Sequence, residues 1–234
     1  GTTQGDPLGM LMYAVGTLPL IQKLKDPRWR QNWYADDSAC VAKLQDIREW
    51  FNILQREGPK WGYHPEPAKS FLIIKPGLEE AAHSIFADLN VRIVHSHRFL
   101  GGVVGPAQAK KEFVVEKVKE WVEHTKNFAL AAKKSPHPAY AAFTKSLQSE
   151  WDFVQRVVGD CNAEYSPLAA AIKQYFTPAL NGREVSDTEN TLFSFPTRMG
   201  GLAIKDPVDT AQHAFTLSKE ATAVLSSSLQ SGGE

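Results

Sequence analysis

The pattern of apolar residues changes character at Gly105-Pro106, and this break constrains the fold more than any other feature. Beyond it Val115, Val118, Trp121, Val122, Thr125, Phe128 and Ala129 recur at helical spacing. Residues 138–158 and 167–175 read the same way, and no run alternates as a strand would. Before the break, short apolar runs of both periods lie between turn formers. The expected organisation is therefore a mixed α/β part up to about residue 105, followed by an all-helical part over residues 106–234.

Local signals fill in this division. Asp6-Pro7 reads as a cap followed by proline at the first helical position. Leu8, Leu11, Val15 and Leu18 then give a helix over about residues 7–24. Residues 32–41 have apolar flanks around Asp36-Asp37, the pattern of a β-hairpin with the acidic pair at or near its tip. Ile47, Trp50, Phe51 and Leu54 mark an amphipathic helix stopped by Gly58-Pro59. Strands are expected at 70–75, 91–95 and 98–104, with a helix over 78–89. Ser166-Pro167, Asp206-Pro207 and the Ser186/Glu189 spacing announce later helix starts. The Ser- and Gly-rich residues 226–234 read as a frayed tail.

Lys plus Arg and Asp plus Glu both number 26, so any basic surface must be local. Seven lysines between Lys110 and Lys134 enrich one expected helix in positive charge, but Glu112, Glu116, Glu120 and Glu123 dilute it. A solvated face carrying ion pairs is the simplest reading. The two cysteines, Cys40 and Cys161, stand far apart without zinc-ligand spacing, which points to a reducing, intracellular setting, nuclear or cytoplasmic. The longest apolar stretch, residues 8–21, is too short to span a bilayer, so no membrane partner is expected. His95 and His97 have same-face spacing on a strand but lack a third ligand.

The chemistry concentrates on Asp36 and Asp37. Adjacent carboxylates on a hairpin can share hard divalent cations such as Mg2+ or Mn2+, the arrangement used for in-line phosphoryl transfer. An isolated pair of this kind reads as turn formers and nothing more. The surrounding residues change that. Thr2-Thr3-Gln4-Gly5-Asp6-Pro7-Leu8, Tyr34-Ala35-Asp36-Asp37, Ala68-Lys69-Ser70 and Phe99-Leu100-Gly101-Gly102 follow one another in the order and spacing of motifs B, C, D and E of reverse transcriptases. Residues Phe195-Pro196-Thr197-Arg198-Met199-Gly200-Gly201-Leu202-Ala203-Ile204 look like the Pro-Thr-x-x-Gly-Gly-Leu-Gly segment found downstream in many LINE-like elements. Between them these motifs cover most of the chain, which resembles the reverse transcriptase of a LINE-like non-LTR retroelement from motif B onward.

That resemblance implies an α+β fold, with a partial palm over 1–105 built as a small antiparallel sheet with packed helices, a helical thumb with a C-terminal extension over 106–234, and an RNA-directed DNA polymerase acting by a two-metal mechanism. RNA template, DNA primer and deoxynucleoside triphosphates are the implied partners. Asp36 is the expected metal ligand with Asp37 in support, and Lys69 is expected to give a proton or positive charge to the departing pyrophosphate. Gln4, Gly5 and Tyr34 would meet template, nucleotide and primer end, and Phe99, Leu100, Gly101 and Gly102 would form the primer grip. Such enzymes also need an aspartate in motif A and basic fingers residues, which these 234 residues do not contain. The sequence thus reads as a fragment, inactive by itself. The competing reading is a decayed or domesticated remnant that binds nucleic acid or protein without catalysis.

Overall fold

The computed structural model describes residues 5–231 of the chain. The fold is α+β and mostly helical, with a few short strands. It divides into two compact units, Gly1–His95 with Ser227–Glu234, and Ser96–Ser226. The division falls ten residues before Gly105, so the hairpin just ahead of Gly105 belongs with the helices that follow it.

The first unit opens with helix α1 (Gly9–Lys23). The helix starts two residues later than the Asp6-Pro7 signal implies, with Leu8 as its N-cap, and the Asp6 carboxylate accepts from the Leu8 amide at 2.8 Å in the turn ahead of it. Strands β1 (Arg30–Tyr34) and β2 (Asp37–Val41) form an antiparallel hairpin. Helix α2 (Leu44–Glu57) follows and ends at Gly58. Leu20 and Leu24 pack with Trp29, Trp50, Phe51 and Leu54, so the end of α1 and the apolar stripe of α2 enclose one small core. Strand β3 (Phe71–Ile73), helix α3 (Glu79–Ile85) and strand β4 (Arg92–Val94) form a second, in which Leu72 and Ile74 meet Ala82 and Phe86.

A single antiparallel sheet is not what these strands build. Among the described residues there are three two-stranded ladders, and β3 pairs with β4 in parallel. The cause is the connection: a helix between two strands carries the chain back to its starting end, which imposes parallel pairing, whereas a tight turn reverses it. Helix α1 also departs from an amphipathic packing element. Its periodic residues Leu11, Val15 and Leu18 are 49–60% exposed, and so are its Met10 and Met12, while only Thr17 and Leu20 are buried.

The Glu57 carboxylate ties α1 to the end of α2. It is held by Lys23 at 3.0 Å, Lys60 at 2.9 Å and Arg56 at 3.1 Å. Hydrogen bonds from Lys60, Lys23 and Arg56, in that order, draw its pKa down from 4.5 to about 2. A carboxyl whose folded pKa is depressed contributes stability above its unfolded value and loses it as pH falls toward the folded one. The stability difference between the native chain and Glu57→Gln should therefore be full above about pH 4.5 and close progressively toward pH 2. Paired thermal melts across that window test this, and a pH-independent difference would contradict it.

The second unit begins with the hairpin of β5 (His97–Phe99) and β6 (Gly102–Val104) and continues into the 26-residue helix α4 (Ala107–Ala132). Helix α5 (Pro136–Ala142) runs through a π turn, Phe143–Leu147, into α6 (Gln148–Val157). Likewise α7 (Ser166–Ala171) runs through a π turn, Ile172–Phe176, into α8 (Thr177–Asn181). Then come α9 (Asp187–Ser194), α10 (Pro207–Ala221) and α11 (Ala223–Ser231).

Aromatic side chains fill the centre of this unit. Trp121 stacks on Tyr165 and meets Trp151 edge-on, and the Phe143 and Phe176 rings stack with centroids 3.9 Å apart. Along α4, Lys117 and Lys126 pair with Glu120 and Glu123 at i,i+3, and Lys111 reaches Glu164, so much of the positive charge is answered locally.

Ser186 and Glu189 form the full capping box, and Asp206 accepts from Val208 at 3.0 Å. Ser166 does not cap. A 3-10 turn already leads into α7, and the Ser166 hydroxyl donates to Ala163 O instead. The tail is helical through Ser231 rather than frayed from Ser226, and Arg30 Nε donates to the Gln230 carbonyl at 2.7 Å.

Candidate functional site

The acidic pair sits where the hairpin reverses. Tyr34 pairs with Asp37 across the ladder, leaving Ala35 and Asp36 as a two-residue turn. Such a turn needs left-handed backbone, and Ala35 supplies it at φ 51. Without the freedom of glycine, that conformation costs on the order of 1–3 kcal/mol and persists only where the surroundings fix it. Asp36 and Asp37 are both exposed, and no ion pair or side-chain hydrogen bond among the described residues engages either carboxylate. Tyr34 is 60% exposed beside them.

What fixes the turn is Tyr63, a residue that belongs to no motif of the sequence. Its hydroxyl lies 3.0 Å from the Asp36 carbonyl oxygen and 2.8 Å from Ser38 Oγ. Its ring meets Trp33 edge-on with centroids 5.1 Å apart. Its main chain is anchored by a hydrogen bond that the Tyr63 amide donates to Gly58 O at 3.0 Å. Position 58 must be glycine for this approach, because an added Cβ would lie 2.5 Å from Tyr63 O. Burial raises the Tyr63 pKa, the Ser38 hydrogen bond opposes this, and Asp36 and then Asp37 add to it. Tyr13 of α1 is raised as well, by burial first and then by Tyr63 and Asp36, so a second phenol borders the cluster. The available clue is Gly58 after an amphipathic helix, which with Pro59 reads only as a helix stop.

The other expected site residues are placed as follows. Gln4 lies outside the described residues. Gly5 is in a turn at φ 88, one residue before Asp6. Lys69 ends a short 3-10 turn ahead of β3 and pairs with Glu66 at 3.2 Å. Phe99, Leu100, Gly101 and Gly102 form the tight turn of the β5–β6 hairpin, with Leu100 at φ 46 and Gly101 at φ 80. These two glycines have a packing role inside the second unit. A Cβ on Gly101 would lie 2.8 Å from the Phe153 ring, and one on Gly102 would touch Val157. Arg98 joins the same hairpin to α4 through Glu116 at 2.6 Å, and its guanidinium lies over the Phe113 ring.

His95 and His97 do not share a strand. His95 follows β4 in the first unit, where Nδ1 lies 3.2 Å from Ile74 O and Nε2 pairs with Glu79, whereas His97 begins β5 in the second. Burial pushes the Cys40 thiol up to about 12 and raises Cys161 too, which keeps both protonated and poor as ligands.

The downstream Pro-Thr-Arg-Met-Gly-Gly-Leu segment is a tightly folded turn of the second unit. Leu202 and Ile204 amides donate to Phe193 O, and Ala203 donates to Phe195 O. Tyr140 donates to Leu202 O at 2.7 Å, and Gln148 bonds both Ala203 O and the Lys205 amide at 3.1 Å. Gln155, fully buried, donates to Pro207 O at 2.7 Å. Arg198 and Met199 are left exposed at the tip.

A cation at Asp36 and Asp37 is chemically compatible with this chain, since both carboxylates are exposed, unpaired and hard oxygen donors. Two ligands are all that the hairpin supplies, and no group of three His, Cys, Asp or Glu suited to a metal occurs among the described residues. No helix among them is long and apolar enough to cross a membrane. Comparison with known proteins returned no matching family model, no similar curated protein and no similar solved structure.

Proposed function

We propose that the chain is the motif B to E portion of an RNA-directed DNA polymerase, a partial palm followed by a helical thumb, whose reaction is nucleotidyl transfer to a primer end. One observation carries this reading: a Tyr-Ala-Asp-Asp sequence at the tip of a two-residue hairpin, with left-handed Ala35 and two carboxylates that no other side chain engages. Turn-forming aspartates commonly bond to nearby backbone or cations. Here the main chain is held and the charges are left available.

In this reading Asp36 holds a divalent cation and Asp37 supports it, while the exposed ring of Tyr34 packs against the last primer nucleotide. Bound Mg2+ or Mn2+ would polarise the attacking hydroxyl and the leaving oxygen. Lys69, exposed and paired only at the surface, would turn from Glu66 toward the pyrophosphate and supply positive charge or a proton there. Lysines of α4 that remain free of carboxylates would follow duplex phosphates.

The count of two carboxylates favours a second reading, a remnant that binds duplex without catalysis. Both readings expect a polypeptide of these 234 residues to fail in primer extension on an RNA template with Mg2+ or Mn2+. They part on the metal: the polymerase reading expects Mn2+ at the hairpin and RNA/DNA duplex binding that weakens with salt. Extension assays, duplex titrations and Mn2+ titrations on one preparation test it. Robust extension by the isolated chain contradicts the metal-site assignment, and duplex binding with no Mn2+ at the hairpin selects the remnant.

A further inference from the structure

We propose that Tyr63 is a positioning residue for the acidic pair, acting through the main chain of the turn rather than through either carboxylate. The inference deepens the polymerase reading and rests on it for its consequence, although the clamp itself does not.

The direction of the hydrogen bonds follows from proton counting. A phenol has one proton to donate, and the Asp36 carbonyl can only accept, so the Tyr63 hydroxyl gives its proton there at 3.0 Å. At the second contact, 2.8 Å away, Ser38 must then be the donor. One oxygen thus spans the residues on either side of Asp37, from the turn to the second strand. A tyrosine phenol keeps its proton at neutral pH, which this direction requires.

The clamp is itself immobilised. Trp33, the cross-strand partner of Ser38, receives the ring edge-on, and the Gly58 carbonyl holds the Tyr63 amide. This arrangement suits a metal site in a specific way. A side chain that bonded the carboxylates would compete with a cation, whereas one that bonds the carbonyl fixes the strained turn and leaves four carboxylate oxygens unengaged.

The test uses the full chain labelled with 15N. Mn2+ is titrated while paramagnetic broadening of the amide signals of residues 34–38 is followed, and hydrogen exchange of the same amides is measured without metal. Tyr63→Phe keeps the ring and its contact with Trp33 but removes the bond to Asp36. It should speed exchange in the hairpin by about five-fold, the worth of one hydrogen bond, and weaken Mn2+ binding by a similar factor with little change in melting temperature. Ser38→Ala leaves the bond to Asp36 in place and should keep Mn2+ affinity within about two-fold.

Native exchange and native Mn2+ affinity in Tyr63→Phe overturn the proposal. So does an equal loss in both variants that tracks a fall in melting temperature, since that is a structural effect alone. If Mn2+ does not broaden these signals in the native chain, the metal reading fails. The exchange comparison then decides the clamp by itself, unchanged exchange in Tyr63→Phe overturning it.

Discussion

Asp36→Asn should abolish primer extension by a polypeptide that joins these residues to an upstream strand carrying a third carboxylate, while duplex affinity stays within about two-fold. The substitution keeps the shape of the side chain and removes the charge that would attract the proposed cation. Asp36 is exposed and its carboxylate makes no ion pair, so the loss cannot be assigned to a broken fold. Its carbonyl, the atom the fold does use, is untouched by the change. Removing one preorganised electrostatic group from a reacting centre costs on the order of 10²–10³-fold in rate. Losing a directly bound metal should exceed that. Asp37→Asn should cost less, in line with its supporting place. Single-turnover extension rates and duplex titrations on the same preparations measure both effects. Normal extension by Asp36→Asn would remove the metal site from the hairpin.

Gly201→Ala should destabilise the helical unit by about 3 kcal/mol or more, a large effect for a single added methyl. The Cβ would fall 2.6 Å from the Phe195 carbonyl carbon and 2.7 Å from Leu192 O, both main-chain atoms that cannot rotate away. Moving them would break the bonds of Leu202, Ala203 and Ile204 to Phe193 and Phe195, and with them the contacts to Tyr140 and Gln148. Gly200→Ala offers a graded comparison. No atom lies near its Cβ, but φ 84 is left-handed, so its penalty of about 1–2 kcal/mol should be conformational alone. Urea unfolding of the two variants measures the difference. Similar small losses in both would show that the segment relaxes.

The two substitutions also mark what could be read in the sequence. The Tyr34 to Asp37 turn was legible because strand period and turn chemistry agree over a few adjacent residues. The Ser186 box and the Asp206 cap were legible for the same reason. The clamp was not, since Tyr63 meets Asp36 only after α2 and its glycine have reversed the chain, a relation that no local pattern encodes. Helix α1 is an intermediate case. Its spacing fixes the helix, but apolar residues on every side leave the buried face unspecified, and Leu11, Val15 and Leu18 turn out exposed. The parallel β3–β4 pair follows from the strand, helix and strand expected in succession over 70–95, a local signal that the antiparallel sheet implied by the resemblance overrode.

The two π turns have a consequence for insertions and deletions in this chain. A π turn closes i→i+5 rather than i→i+4, so each holds one residue more than the α-helix around it would need. Deleting one residue at 143–147 would restore α geometry and leave Trp151, Val154 and Gln155 on the face that is now buried, whereas converting the turn to α geometry without a deletion would rotate α6 by about 100°. The stacked rings of Phe143 and Phe176 join the two turns, so a change of length in one is felt at the other. A homologue lacking either extra residue, or both, could keep the same core. Aligned without single-residue gaps inside helices, it would fall out of register with this chain from residue 147 onward.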